Sequence, residues 1–195
     1  MNSSLRVGVG PLVKTLGSLS GAGRGRVLLA RLIEWTAMNT PRGTLLLDFK
    51  GVEAATASFL RESVLAFRDY VRIYQPELFP VAANLNDELR EEFDELLRQR
   101  REAMLACTTD KQGKVAADLV LGILEPGLAA TLQTIRTHGT VSPGELREGK
   151  VRLEASTVSN RLASLTRQGF VTSRAEGKRR VYRFVLDEGG GQHGH

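Results

Sequence analysis

Between Ser156 and Arg183 the chain carries seven cations (Arg161, Arg167, Arg174, Lys178, Arg179, Arg180 and Arg183) and one acid, Glu176. Residues 1–124, by contrast, hold 16 Arg and Lys against 15 Asp and Glu, so the net charge of +5 over 195 residues is gathered near the C-terminus. Such a local excess points to a polyanionic partner more than the total does. Within it, Ser156, Thr157, Ser159 and Asn160 are small polar residues at the start of a stretch whose Val158, Leu162 and Leu165 share one helical face. Small polar side chains let a helix backbone approach base edges in a major groove, and an Asn is suited to bidentate pairing with adenine. Arg161 and Arg167 are candidates for a phosphate or a guanine. Lys178, Arg179 and Arg180 read as a basic turn that lies on the DNA backbone or in a narrow minor groove. Five such cations per subunit would make binding steeply salt-dependent, with a slope near −0.9 per phosphate neutralised.

Other chemistry is poorly supplied. Cys107 stands alone, so it forms no internal disulfide, and His138, His193 and His195 show no zinc spacing. Gly17, Gly21, Gly23 and Gly25 are not followed by the Lys-Ser/Thr of a phosphate-binding loop, so they read as loop. Glu91, Glu92, Asp94 and Glu95 read as a solvated helix face. These residues assemble no catalytic group, and the expectation is a non-enzyme without metal or cofactor. No apolar run approaches the ~18 residues of a membrane span, and the first residues lack the apolar core of a secretory signal, so a cytoplasmic protein is expected.

The elements behind these residues fall into two halves. A helix is predicted from Arg26 to the stop at Pro41-Arg42-Gly43, after a glycine-rich beginning that reads as strands and loops. Thr44–Phe49 is a short buried strand, and a helix follows in which Ser58 serves as N-cap to Phe59, Leu60, Val64, Leu65, Phe67, Tyr70 and Val71. Residues 79–85 form a strand, and Asn86 or Asp87 caps a charged helix with Leu89, Phe93, Leu96 and Leu97 inside. Two strands, 104–108 and 115–124, turn at Lys111-Gln112-Gly113. This alternation predicts a small α/β or α+β sheet domain over residues 1–124, in a chain of α+β class.

The run Leu46-Leu47-Asp48-Phe49-Lys50-Gly51-Val52-Glu53, with Ala57-Ser58-Phe59 opening a helix, resembles the core of STAS-type domains. It is most similar to the bacterial STAS-like family of unassigned function. Asn84-Leu85-Asn86-Asp87-Glu88-Leu89-Arg90 resembles that family's second signature. The resemblance implies a mixed sheet with helices that serves dimerisation, partner binding or sensing. It also makes Ser58 a candidate phosphorylation and partner site for a GHKL-type kinase, because related anti-anti-sigma proteins carry a phosphorylated Ser there. The Asp-Ser-Ser usual in those proteins is replaced here by Thr56-Ala57-Ser58. A helix N-terminus does favour an added phosphate.

Residues 125–188 form the second half. Leu128–Thr137 is amphipathic and stops at His138-Gly139, Ser142 caps a helix with Pro143 in its first position, and strand, basic turn and strand follow the Ser156 stretch. The segment from Ser156 to Phe184 resembles the winged helix-turn-helix of MarR-like and ArsR-like bacterial regulators, with 148–155 longer than their usual turn. Residues 189–195, rich in Gly, read as a flexible tail. The resemblance implies a prokaryotic transcriptional regulator acting on double-stranded DNA as a homodimer. The alternative is a partner-switching adaptor of a kinase or anti-sigma system, in which the C-terminal module docks protein.

Overall fold

The computed structural model describes residues 5–15, 18–147, 154–177 and 179–187, and the fold is α+β. The chain divides between Ile123 and Leu124 into two compact units.

The first unit begins with strand β1 (Leu5–Gly8) and a short helix α1 (Val9–Val13). Helix α2 (Ala22–Asn39) starts four residues before Arg26, so the glycine-rich stretch expected to be loop is partly helical. Packing explains it. A Cβ on Gly25 would stand 2.6 Å from the carbonyl oxygen of Phe59 and 2.9 Å from Cβ of Glu62, so only a bare backbone lets α2 lie this close to its neighbour. The helix ends at Thr40, whose left-handed backbone (φ 41°) returns its N–H to the carbonyl of Thr36, and Pro41 prevents continuation.

Strands β2 (Gly43–Asp48), β3 (Leu78–Ala83) and β4 (Ala103–Thr109) extend the sheet in parallel beyond β1, and β5 (Val115–Gly122) closes it antiparallel to β4, in the order β1-β2-β3-β4-β5. Pro80 lacks a donor, yet β3 tolerates it because its pairing with β4 begins only at Ala82. Between β2 and β3 run α3 (Ala57–Leu60), a π-helical turn (Arg61–Leu65) and α4 (Ala66–Tyr74). Helix α5 (Asp87–Arg100) joins β3 to β4. Parallel strands in sequential order, when joined by the usual right-handed crossovers, carry their helices on one face. One hydrophobic cluster accordingly joins Leu28 and Leu32 of α2, Phe59, Phe67 and Val71, and Phe93 of α5 to Leu45, Leu47, Ala82 and Met104 of the sheet. Leu46, Val81 and Leu105, which point the other way, are buried too. That is why these strands read as unbroken apolar runs.

Polar groups gather where the parallel strands end. Asn84 donates to Asp48 Oδ1 at 2.6 Å and Arg6 donates to Oδ2 through Nε at 2.9 Å, while Thr109 N donates to Asn84 Oδ1 at 2.9 Å. Burial pushes the Asp48 carboxyl up, but the donors Asn84, Arg6 and the N–H of Lys50 outweigh it and hold it below the usual carboxylate range.

The second unit comprises α6 (Pro126–His138), β6 (Thr140–Val141), α7 (Pro143–Arg147), α8 (Ala155–Arg167), β7 (Val171–Glu176) and β8 (Arg179–Phe184). Its strands form an antiparallel sheet in the order β6-β8-β7. The two-residue β6 is too short to show a period in sequence. Leu128, Leu132, Ile135, Leu146, Val158, Leu162, Leu165, Phe170 and Phe184 fill this unit's core.

Candidate nucleic-acid interface

Helix α8 buries one stripe and leaves the rest to solvent. Val158, Leu162 and Leu165 recur at three- and four-residue intervals and are fully covered, and α8 packs on α6 and α7 through that side. Ser156, Ser159, Asn160, Ala163 and Arg167 are exposed, and Thr157 is half-buried. The structure therefore brings Ser156, Ser159, Asn160 and Arg167 to accessible positions of one helix. Arg167 stands in the last turn, where a cation also complements the helix dipole.

Helix α7 is held by a reciprocal cap. Ser142 Oγ accepts from the N–H of Glu145 at 3.4 Å, and Glu145 Oε2 accepts from the N–H of Ser142 at 2.6 Å and from its hydroxyl at 2.8 Å. Those bonds hold the Glu145 carboxyl below its ordinary range, with a smaller pull from the Arg179 and His138 charges. The Ser-x-x-Glu spacing was readable in sequence, yet only the Ser142 half of the cap follows from the reading above.

The β7–β8 ribbon aims its cations by register. Glu176 pairs with Arg179 across the turn, Ala175 with Arg180, Arg174 with Val181, Thr172 with Arg183 and Val171 with Phe184. Paired residues share a face, and faces alternate along a strand. Val171 and Phe184 mark the inner face, so Arg180 lies on that side beyond the core, whereas Arg174, Glu176, Arg179 and Arg183 lie on the outer one. Arg179 and Arg180 thus leave opposite sides of the same ribbon. Gly177, at φ 58°, supplies the left-handed backbone of the turn. Lys178 lies outside the described residues.

Not every cation singled out by its position is at liberty. Arg174 forms an ion pair with Glu176, and Arg183 donates to the carbonyl of Asp187. Arg161 folds back, half-buried, over the first turn of α6: a Cβ on Gly127 would lie 2.8 Å from its Nη2. Among the described residues no carboxylate forms an ion pair with Arg167, Arg179 or Arg180. Of the five cations expected to face a duplex, three are therefore exposed and unpaired among the described residues, and Arg161 is engaged elsewhere.

Ser58 departs from its expected role. The N-cap of α3 is Thr56, whose side chain accepts from the N–H of Phe59 and also from the N–H of Gly21, and Ser58 sits inside the first turn. Thr56 wins because its extended backbone (φ −79°, ψ 155°) is the conformation a cap requires. Ser58 Oγ is 3.1 Å from Thr56 Oγ1 and half-buried. Glu92, expected on a solvated face, instead accepts from the N–H of Ala57 at 2.6 Å. Asp94 from the same face accepts from Gly122 N at 2.7 Å. Contacts this distant in sequence leave no local signal.

Cys107 is buried in β4. Burial, aided by the nearby Asp118 and Asp48 charges, pushes its thiol up to about 11. Among the described residues no group of three or more His, Cys, Asp or Glu could hold a metal ion, and no helix is long and apolar enough to cross a membrane.

No family model matches the sequence, and no curated protein matches it. Among solved structures the chain is similar to one described as the crystal structure of M. tuberculosis Rv0081. The two share 31% identity over 31% of this chain, with a TM-score of 0.29. The match spans 60% of that protein's length.

Proposed function

We propose that the protein is a DNA-binding transcriptional regulator. Helix α8 would enter a major groove as the recognition helix, with α7 preceding it, and the β7–β8 ribbon would act as the wing of a winged helix-turn-helix. Asn160 is placed to read a base edge, Ser156, Thr157 and Ser159 allow close approach, and Arg167, Arg179 and Arg180 neutralise phosphates or enter a minor groove. The observation that carries this reading is the pairing of an exposed polar edge on α8 with Arg179 and Arg180 on the adjoining ribbon, exposed and in no ion pair among the described residues. The first unit, read as a STAS-like domain, would supply dimerisation, partner binding or sensing. Two modules on a pseudo-palindromic site supply the contacts that one module lacks.

A salt-titrated mobility-shift assay with sheared genomic DNA tests the reading. Retention at low salt, lost steeply as salt rises, is the expected result. No retention at any salt concentration would turn the argument toward the adaptor, with the C-terminal unit docking protein.

A further inference from the structure

Arg161 stands on the side of α8 that faces α6, away from the edge offered to a duplex. At about 100° per residue it lies roughly 70° from the mid-line of the Val158, Leu162 and Leu165 stripe, and roughly 140° from the middle of the exposed Ser156, Ser159, Asn160 and Arg167 edge. Its guanidinium meets α6 by its face. From the point where a Cβ on Gly127 would stand, Nη2 is 2.8 Å away, Cζ 3.1 Å and Nε 3.2 Å. An edge-on group would hold Cζ farther off than both of those nitrogens, so the plane lies against the bare backbone. The floor beneath it is firm, because the buried Thr131 hydroxyl donates to the carbonyl of Gly127 at 2.9 Å.

Charge does not account for this berth. Among the described residues no carboxylate forms an ion pair with Arg161. Gly127 is moreover the second residue of α6, at the helix end whose dipole repels a cation. Shape does account for it: a guanidinium is thin, planar and weakly hydrated, and it stacks where a lysine ammonium does not. We propose that Arg161 is a positioning residue, which by stacking on Gly127 sets how α8 is seated on α6 and so how Asn160 is presented to a base edge. Its bearing on base recognition rests on the DNA-binding reading above, whereas the seating of α8 does not. A bidentate contact to a base is directional and short, so it suffers from a small shift of the helix, while long cationic side chains on phosphates tolerate one.

The full chain as wild type, Arg161→Ala, Arg161→Lys, Gly127→Ala and the double variant Arg161→Ala/Gly127→Ala tests the proposal. The new Cβ of Gly127→Ala meets only the far end of a flexible side chain, so it displaces the guanidinium and spares the fold. The probes are a duplex selected by the wild type from a random-sequence pool, and the unselected pool. Each single variant is expected to lose on the order of tenfold in preference for the selected duplex, and the double variant no more than either alanine variant alone. The salt slope on the pool should stay unchanged for Arg161→Ala and Arg161→Lys. Wild-type preference in Arg161→Lys or Gly127→Ala, or a slope lowered by about 0.9 in Arg161→Ala, would overturn the proposal. Amide hydrogen exchange along α8 without DNA separates it from the reading on which it rests. Faster exchange in Arg161→Ala and Gly127→Ala upholds the seating even in a protein that retains no DNA, and unchanged exchange overturns it.

Discussion

The Glu92 carboxylate accepts a hydrogen bond from the backbone N–H of Ala57 at 2.6 Å, in the first turn of the helix that carries Ser58. An internal anion therefore already occupies the Ala57 N–H, one of the free groups that a phosphate on Ser58 would seek. Ser58→Asp is expected to destabilise the protein by roughly 1 kcal/mol through like-charge repulsion. In the double variant with Glu92→Gln, that penalty should shrink. Urea denaturation of the four proteins of this cycle measures the coupling. Additive effects would remove Glu92 as the reason.

Salt dependence should sort the arginines. Arg180→Ala and Arg179→Ala are each expected to lower the slope of log K against log salt by about 0.9 per subunit. Arg161→Ala should leave it nearly unchanged, because that guanidinium lies over Gly127. A slope change for Arg161→Ala equal to that for Arg180→Ala would show that the side chain leaves α6 on binding.

Asn160→Ala should behave differently from both. It is expected to cost about 1–3 kcal/mol on a preferred site and little on random duplex, since base contacts specify and phosphate contacts position. Competition binding with the two DNAs makes the comparison.

Gly122 has φ 79°, and a Cβ there would meet the carbonyl oxygen of Glu102 at 2.2 Å and Leu97 Cβ at 2.6 Å. Gly122→Ala is therefore expected to cost roughly 2–4 kcal/mol, measured by thermal or urea unfolding. Gly21 also has positive φ but stands in open space, so the loss at Gly21→Ala should be smaller.

Stability should fall at both ends of the pH scale. Asp48 and Glu102 are held below the usual carboxylate range by their arginine and asparagine donors, against the opposing effect of burial. Their contribution is complete above about pH 4–5 and disappears as pH drops through the folded values. Cys107 acts in the opposite sense: the native state keeps its proton up to about pH 11, so its contribution is lost as pH rises from 9 toward that value. Replacing Cys107 with Ala should flatten the alkaline limb of a pH–stability curve.

Much of this architecture was legible because it rests on local patterns. The apolar run at Thr44–Phe49, the cap at Asn86 or Asp87 (Asn86 in the structure), the Gly139 stop and the strand–turn–strand near residues 171–184 all depend on neighbours within a few residues, and each element stands within a few residues of its expected place. What could not be read is what depends on partners far along the chain. Gly25 looked like a loop residue because Phe59, its reason for being glycine, is 34 positions away. Glu92 reads as solvated because Ala57 is equally remote, and Ser58 reads as the cap because a cap is settled by backbone angles that composition does not reveal. Arg161 reads as an outward cation because nothing in the spacing announces that Gly127 leaves room for it.

Arg179 and Arg180 leave opposite sides of a two-stranded ribbon, and this makes the reach of the hairpin adjustable only in even steps. Adding one residue to each strand would exchange the two directions, turning each charge to the side the other now serves. Adding two would restore both directions and carry the pair about 7 Å farther from the core. Variants of this module that reach across grooves of different width should therefore differ by whole two-residue increments, while odd insertions would need a bulge to recover their aim.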